Sequence, residues 1–198
     1  MSGRRRIVLA TRNEHKVREF ARLLGDSVEI VALPEEVELP PETGETFAEN
    51  ALIKARAAAR ATEMEAIADD SGIESEALQN APGVRSARYA GEHASDQENL
   101  DRFISEVPAG SRLRYVCVIA QVDPDAHHGR PQRFEGFCTG TMAEAPKGDR
   151  GFGYDPIFIP DDIDGLRTMA ELADDEKDAI SHRGRAARAL ASWLGSRR

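Results

Sequence analysis

The sequence predicts an α/β fold with a mixed β-sheet flanked by helices, and three observations lead there. Short runs of Val, Ile and Leu alternate with stretches that repeat apolar residues at helical spacing. Two long segments in the middle, RLRYVCVIAQVD and QRFEGFCTGTM, are rich in β-branched and aromatic residues, and the turn-forming stretch DPDAHHGRP between them predicts an antiparallel hairpin. Strands separated by helices pair in parallel, so the same sheet must hold both pairings.

Taken in order, Ile7 to Ala10 (IVLA) is a strand, and Val17, Phe20, Leu23 and Leu24 then lie on one face of a helix that follows Asn13 and ends at Gly25. VEIVALP is a second strand. Thr46 and Glu49 form a capping-box pattern ahead of an Ala-rich helix reaching about Met64. AIADDSG reads as a short buried strand running into a turn. Ser95 with Glu98 repeats the capping pattern before Leu100, Phe103, Ile104 and Val107. IFIP is a further short strand, and Ser181 caps a last helix that buries Ala187, Leu190 and either Leu194 or Trp193.

A chain of 198 residues can bury one core, so a single domain over 1–198 is expected, with two lobes around a cleft equally allowed. Hydrophobic residues at 40% and charged residues at 31% exclude a disordered chain, and no apolar run approaches the roughly 18 residues of a membrane helix. MSGRRRIVLA has a basic start, but its apolar run is too short for a signal peptide, so a cytoplasmic protein is expected. Cys117 and Cys138 are read as buried thiols. The net charge of -9 argues against nucleic acid as a partner and leaves room for a small anionic ligand met by local cations or a divalent ion.

Polar clusters stand between these elements, where sites are usually built. In ATRNEHK, Thr11, Asn13 and Lys16 at a helix start can hold phosphate, or Asn13 is simply an N-cap. In ADDSG, Asp69 and Asp70 leave an apolar strand together; they suit Mg²⁺, or a turn in which Gly72 takes a positive φ. Glu42, before a Gly in PPETGETFAEN, is an acid that no helix start explains, and Lys54 lies two turns into the helix beyond it. KGDRGFGYDPIF combines glycines with Phe152, Tyr154 and Asp155, either for stacking a planar base or as a loop whose aromatics enter the core. Last, Lys177 precedes SHRGRA, where His182 and Arg183 oppose the helix dipole and so point to an anionic or carbonyl-bearing ligand.

Together T-x-N-x-x-K, E-T-G…F-x-E-N-A…K-A, A-D-D-S-G, P-G-V-x-S-A-R-Y-A-G, G-F-G-Y-D-P-I-F and S-H-R-x-x-A resemble the inosine triphosphate pyrophosphatase family, in order and over nearly the whole chain. The resemblance implies an elongated α/β fold with a long mixed β-sheet, two lobes with a nucleotide cleft between them, a homodimer, and Mg²⁺-dependent hydrolysis of ITP, dITP and XTP to the monophosphate and pyrophosphate, with Mn²⁺ as a substitute metal. It implies that the loop from Thr11 through Arg12, Asn13, Glu14 and His15 to Lys16 holds the triphosphate, with Lys54 and Lys177 as further cations. Asp70 is implied as catalytic base and metal ligand, Glu42 as the second metal-side carboxylate, and Ser71 as a substrate contact. Phe152 would stack on the base, Gly153, Tyr154 and Asp155 would shape its pocket, and His182 and Arg183 would read its six-position. Two residues depart from the family pattern: Arg12 stands where a small residue is usual, and Arg85 where Tyr is common.

Overall fold

The computed structural model describes residues 4–25, 27–125 and 130–197. Strand β1 (Arg6–Leu9) leads into helix α1 (Glu14–Leu24), followed by β2 (Glu29–Ala32), α2 (Phe47–Thr62), β3 (Ala66–Ser75), α3 (Asp96–Glu106), β4 (Arg112–Val122), β5 (Gln132–Met142), β6 (Phe158–Pro160), α4 (Asp174–Ile180) and α5 (His182–Gly195). The strands form one sheet in the order β2-β1-β3-β4-β5-β6. Parallel pairing of β1 with β2 and β3, and antiparallel pairing of β5 with β6, make it mixed. The two long strands are neighbours; of the turn expected between them, 126–129 lie outside the described residues. Among the described residues no helix is long and apolar enough to cross a membrane.

The helix starts follow their local chemistry. Asn13 caps α1 by accepting from the Lys16 N–H at 3.1 Å. Thr46 and Glu49 at α2, and Ser95 and Glu98 at α3, complete both halves of the capping box. One departure concerns β3, which does not turn after its acids but continues as a strand through Asp69, Asp70, Ser71 and Gly72 to Ser75. Another is α4, a seven-residue helix in a stretch that carries no apolar repeat long enough to mark it.

The chain divides into two compact units. The first comprises Met1–Asp70, Cys117–Gly136 and Gly184–Arg198. The two-residue period of its strands sends Ile7, Leu9 and Ile67 to one side, where they join Phe20 and Leu24 of α1 and Ala186, Ala187, Leu190 and Leu194 of α5. Val8, Ala10, Ala66 and Ala68 join Ala51, Ala55, Ala58 and Ala59 of α2 in a second cluster. On α5, Leu194 is buried, while Trp193 is half-buried with its ring 5.6 Å from that of Phe134. The second unit, Ser71–Val116 and Phe137–Arg183, packs Ile73, Phe103, Tyr115, Tyr154, Phe158 and Met169 into its own core. Cys117 and Cys138 are both buried.

Candidate active site

In the first unit, the alternation of β3 decides where the two adjacent acids go. Ile67 belongs to the cluster that includes α1, and Asp69, two residues on, meets Lys16 of α1, Nζ to Oδ2 2.8 Å. Ala68 belongs to the cluster that includes α2, and Asp70 meets Lys54 and Asn50 of that helix. Both carboxylates are almost completely buried in an apolar strand, and each has a lysine opposite it.

The Lys54 ammonium lies 2.5 Å from Glu42 Oε1 and 3.9 Å from Asp70 Oδ1, so two carboxylates from separate parts of the chain converge on one point. Burial alone would lower the Lys54 pKa, but the charges of Asp69, Asp70 and Glu42 outweigh it and hold the ammonium above its ordinary range. Asp70 shows the opposite balance. Burial first, and the charge of Glu42 after it, push its pKa up to about 6 against the pull of Lys54, Lys16 and the Asn50 hydrogen bond. A carboxylate at that value is ionised at neutral pH and basic enough to accept a proton.

Asn50 was not singled out from the sequence, and it links the parts of this cluster. It is fully buried in the first turns of α2, donates from Nδ2 to Asp70 Oδ2 at 3.0 Å, and accepts the Gly44 N–H on Oδ1 at 2.7 Å. A polar residue inside an Ala-rich helix was the available signal. The loop at Gly44 lies so close to the helix that a Cβ there would meet Glu49 Cβ at 2.6 Å and Asn50 Oδ1 at 2.7 Å.

Elsewhere in the first loop, Thr11 Oγ1 accepts the Asn13 N–H at 3.2 Å, while Glu14 and His15 are exposed and contact Arg18. Arg12 turns to the segment after β2 and donates to the carbonyls of Leu33, Pro34, Glu35 and Val37, at 2.6–3.2 Å. That brace gives this departure from the family pattern a structural use. Arg85 is exposed, with its backbone N–H bonded to Pro82 O.

The second unit gathers the aromatic loop and the cationic residues near the chain's end. The Phe152 ring is half-buried, with Lys177 Nζ 5.3 Å and Arg183 Cζ 5.5 Å from its centroid. Asp155 is the buried anchor of this loop. Its Oδ2 accepts the Phe152 N–H at 3.0 Å and the Lys177 ammonium at 2.8 Å, and its Oδ1 accepts the Tyr115 hydroxyl at 3.2 Å. Gly151 has φ +72° and presses on that carboxylate; a Cβ would come within 2.1 Å of Oδ2.

Tyr115 stacks on His182 at 4.5 Å and 9°, and Arg183 Nη2 donates to Ser71 Oγ at 2.9 Å. Burial, with the adjacent Asp155 charge, drives the Tyr115 hydroxyl well above its ordinary pKa, so it remains a donor. Tyr154 takes the bland alternative: its ring packs edge-on against Phe103, and its hydroxyl donates to Ser86 O at 2.8 Å. Gly153, at φ +62°, has open space where a Cβ would stand. Lys177, expected beside the phosphates, is paired with Asp155 next to Phe152. Tyr115, like Asn50, was not singled out, because its partners lie 40 and 67 residues further along the chain.

Comparison with known proteins agrees with the motif reading. The model of the Ham1 family matches residues 7–193. The dITP/XTP pyrophosphatase of Symbiobacterium thermophilum is 51% identical over 93% of this chain and 92% of its own, and that of Cutibacterium acnes is 47% identical over 93% and 94%. The solved structure of a HAM1 protein from Coxiella burnetii superposes with a TM-score of 0.84 at 42% identity, covering 97% of this chain and 99% of the other. Agreement in sequence and fold over almost the full length of both partners makes this chain a member of the Ham1 family.

Proposed function

We propose that this chain is a metal-dependent nucleoside-triphosphate pyrophosphatase that hydrolyses the non-canonical purine nucleotides ITP, dITP and XTP to the monophosphate and pyrophosphate, and so cleanses the nucleotide pool. The convergence of Glu42, Lys54 and Asp70 on one point, with Asp70 held near pKa 6, is the observation that carries this reading. The dITP/XTP pyrophosphatases that share about half of its residues support it.

Two carboxylates facing one point, Asp70 buried and Glu42 half-buried, fit Mg²⁺, which takes hard oxygen donors and keeps several waters. Among the described residues no group of three or more His, Cys, Asp and Glu forms a complete protein cage, so such an ion would be held by Glu42, Asp70, water and the nucleotide. When bound, it would neutralise charge on the phosphate chain. Thr11, Asn13 and the backbone donors at the start of α1 bind phosphate oxygens, with Lys16 and Lys54 as point charges. Asp70 accepts a proton from a water molecule whose oxygen bonds to the α-phosphorus; the bond from that phosphorus to the bridging oxygen breaks, and pyrophosphate leaves.

The base stacks on Phe152, and Arg183 and His182 donate to the carbonyl at its six-position. Adenine presents an amino group there and would leave a buried donor unpaired, a difference on the order of 10⁴-fold in favourable cases. Lys177, beside Phe152 and Asp155, belongs with the base in this reading. The family resemblance also supports a cytoplasmic homodimer.

Pyrophosphate release from ITP, dITP, XTP, GTP and ATP with Mg²⁺, for wild type and Asp70→Asn together, tests the proposal. Fast turnover of the first three, reduced at least a thousandfold in the variant, is expected, as for the loss of a principal catalytic group. A wild type that releases pyrophosphate from none of them would overturn it.

A further inference from the structure

Asn50 stands between two groups that the proposed chemistry requires at a fixed separation. Glu42 is in a loop ahead of α2 and Asp70 is in β3, and the Asn50 amide bonds to the surroundings of both. Its carbonyl oxygen takes the Gly44 N–H at 2.7 Å, two residues beyond Glu42, and its amino group donates to Asp70 Oδ2 at 3.0 Å. The amide has no rotational freedom to make these bonds in any other order, because an oxygen facing Asp70 would meet another oxygen and an amino group facing Gly44 would meet a donor. Full burial removes water as a substitute partner for either bond.

Ordinary helix stability does not account for an Asn at this position. Asparagine is a poor helix former, and the start of α2 is already capped by Thr46 and Glu49. The neighbouring Ala51 and Ala55 show what this helix carries where it only packs. Lys54, one turn on from Asn50, meets the same two acids from their charged side, 2.5 Å from Glu42 and 3.9 Å from Asp70. One helix therefore supplies both the cation that neutralises the acids and the amide that orients them.

We infer that Asn50 is a positioning residue: it locks the rotamer of Asp70 and ties the Glu42 loop to it, which sets the geometry of the carboxylate pair for metal and water. The inference rests on the roles proposed for Asp70 and Glu42, and it adds a residue that does not itself touch substrate. Because base and phosphate are bound by other residues, removing the amide should lower turnover far more than it weakens nucleotide binding.

The test compares wild type, Asn50→Leu and Asn50→Asp. Leu matches Asn in shape and loses both bonds; Asp keeps the acceptor for Gly44 and loses the donor to Asp70. With ITP in saturating Mg²⁺, kcat should fall about 10–100-fold in both variants, the usual effect of losing a group that orients a metal ligand, while KM changes less than about threefold. Electron paramagnetic resonance of Mn²⁺ with the nucleotide-free protein should show affinity weakened by about 10-fold or more in Asn50→Leu. Thermal melting reports the folded fraction of each variant at the assay temperature. Wild-type kcat in Asn50→Asp, or a loss in both variants no larger than their unfolded fraction, would overturn the inference. If the wild type hydrolyses no triphosphate, the proposed function fails by itself, and the Mn²⁺ affinities still decide whether Asn50 orders the carboxylate pair.

Discussion

Asp69 and Asp70 are adjacent and chemically identical, and the pleat of β3 alone gives them different partners, Lys16 for one and Lys54 with Asn50 for the other. Residue chemistry alone does not divide their roles, and only the family resemblance points to Asp70, since the lysines that divide them lie far from both in the chain. The environment of Asp70 carries a stability cost that can be measured. Its pKa rises from an ordinary 3.8 to about 6 in the folded protein, so the native state holds that proton more tightly than the unfolded state. The sign follows: below about pH 3.8 both states are protonated and the group is neutral in its effect, and as pH rises through 6 stability is lost, by about 3 kcal/mol in full. Asp70→Asn removes the charge and should therefore melt higher than wild type in EDTA at pH 7.5, with the gap narrowing towards pH 4.5. Calorimetry at the two pH values checks this, and an equal gap at both would show that Asp70 is not the group responsible.

Among the elements, those marked by local chemistry were legible and those held by distant partners were not. The capping boxes at Thr46 and Ser95 are written into four consecutive residues each, and α2 and α3 begin where those residues say. The expected turn at ADDSG is instead continuous strand, because two carboxylates in a buried strand look unfavourable until the lysines of α1 and α2 are in view. Asn50 and Tyr115 were missed for the same reason, and α4 because seven residues show too little periodicity. The contact between the Glu42 loop and α2 is likewise tertiary, and Gly44 is its closest point. Gly44→Ala would set a methyl group 2.6 Å from Glu49 Cβ and 2.7 Å from Asn50 Oδ1, so the loop must move away from the helix. Overpacking of this kind costs about 1–3 kcal/mol, and the displaced Glu42 should lower kcat for ITP about tenfold or more in protein that is still folded by circular dichroism. Unchanged kcat would mean that the position of this loop does not matter to turnover.

For the molecule as a whole, the charge distribution bears on how a triphosphate is admitted. The chain carries -9 overall, and the phosphate-side cluster of the first unit sets three acids, Glu42, Asp69 and Asp70, against two lysines, Lys16 and Lys54, a balance of -1 at neutral pH. Neither the global nor the local field attracts a polyanion, and both lysines are already held by carboxylates at 2.5 and 2.8 Å. A divalent cation at Glu42 and Asp70 reverses the local sign from -1 to +1 and leaves the lysines to turn towards phosphate oxygens. The species bound should then be the metal–nucleotide complex, with binding as well as turnover dependent on the metal. A non-hydrolysable ITP analogue at about 100 times its Kd with Mg²⁺ should stabilise the protein by about 2.7 kcal/mol, a rise in Tm of about 5–10 °C for a chain of this size. In EDTA the same analogue should leave Tm within about 1 °C of the unliganded value, a stabilisation well under 1 kcal/mol. An equal rise in EDTA would mean that Lys16, Lys54 and the start of α1 hold the triphosphate without a cation, and the metal would then act in the chemical step alone.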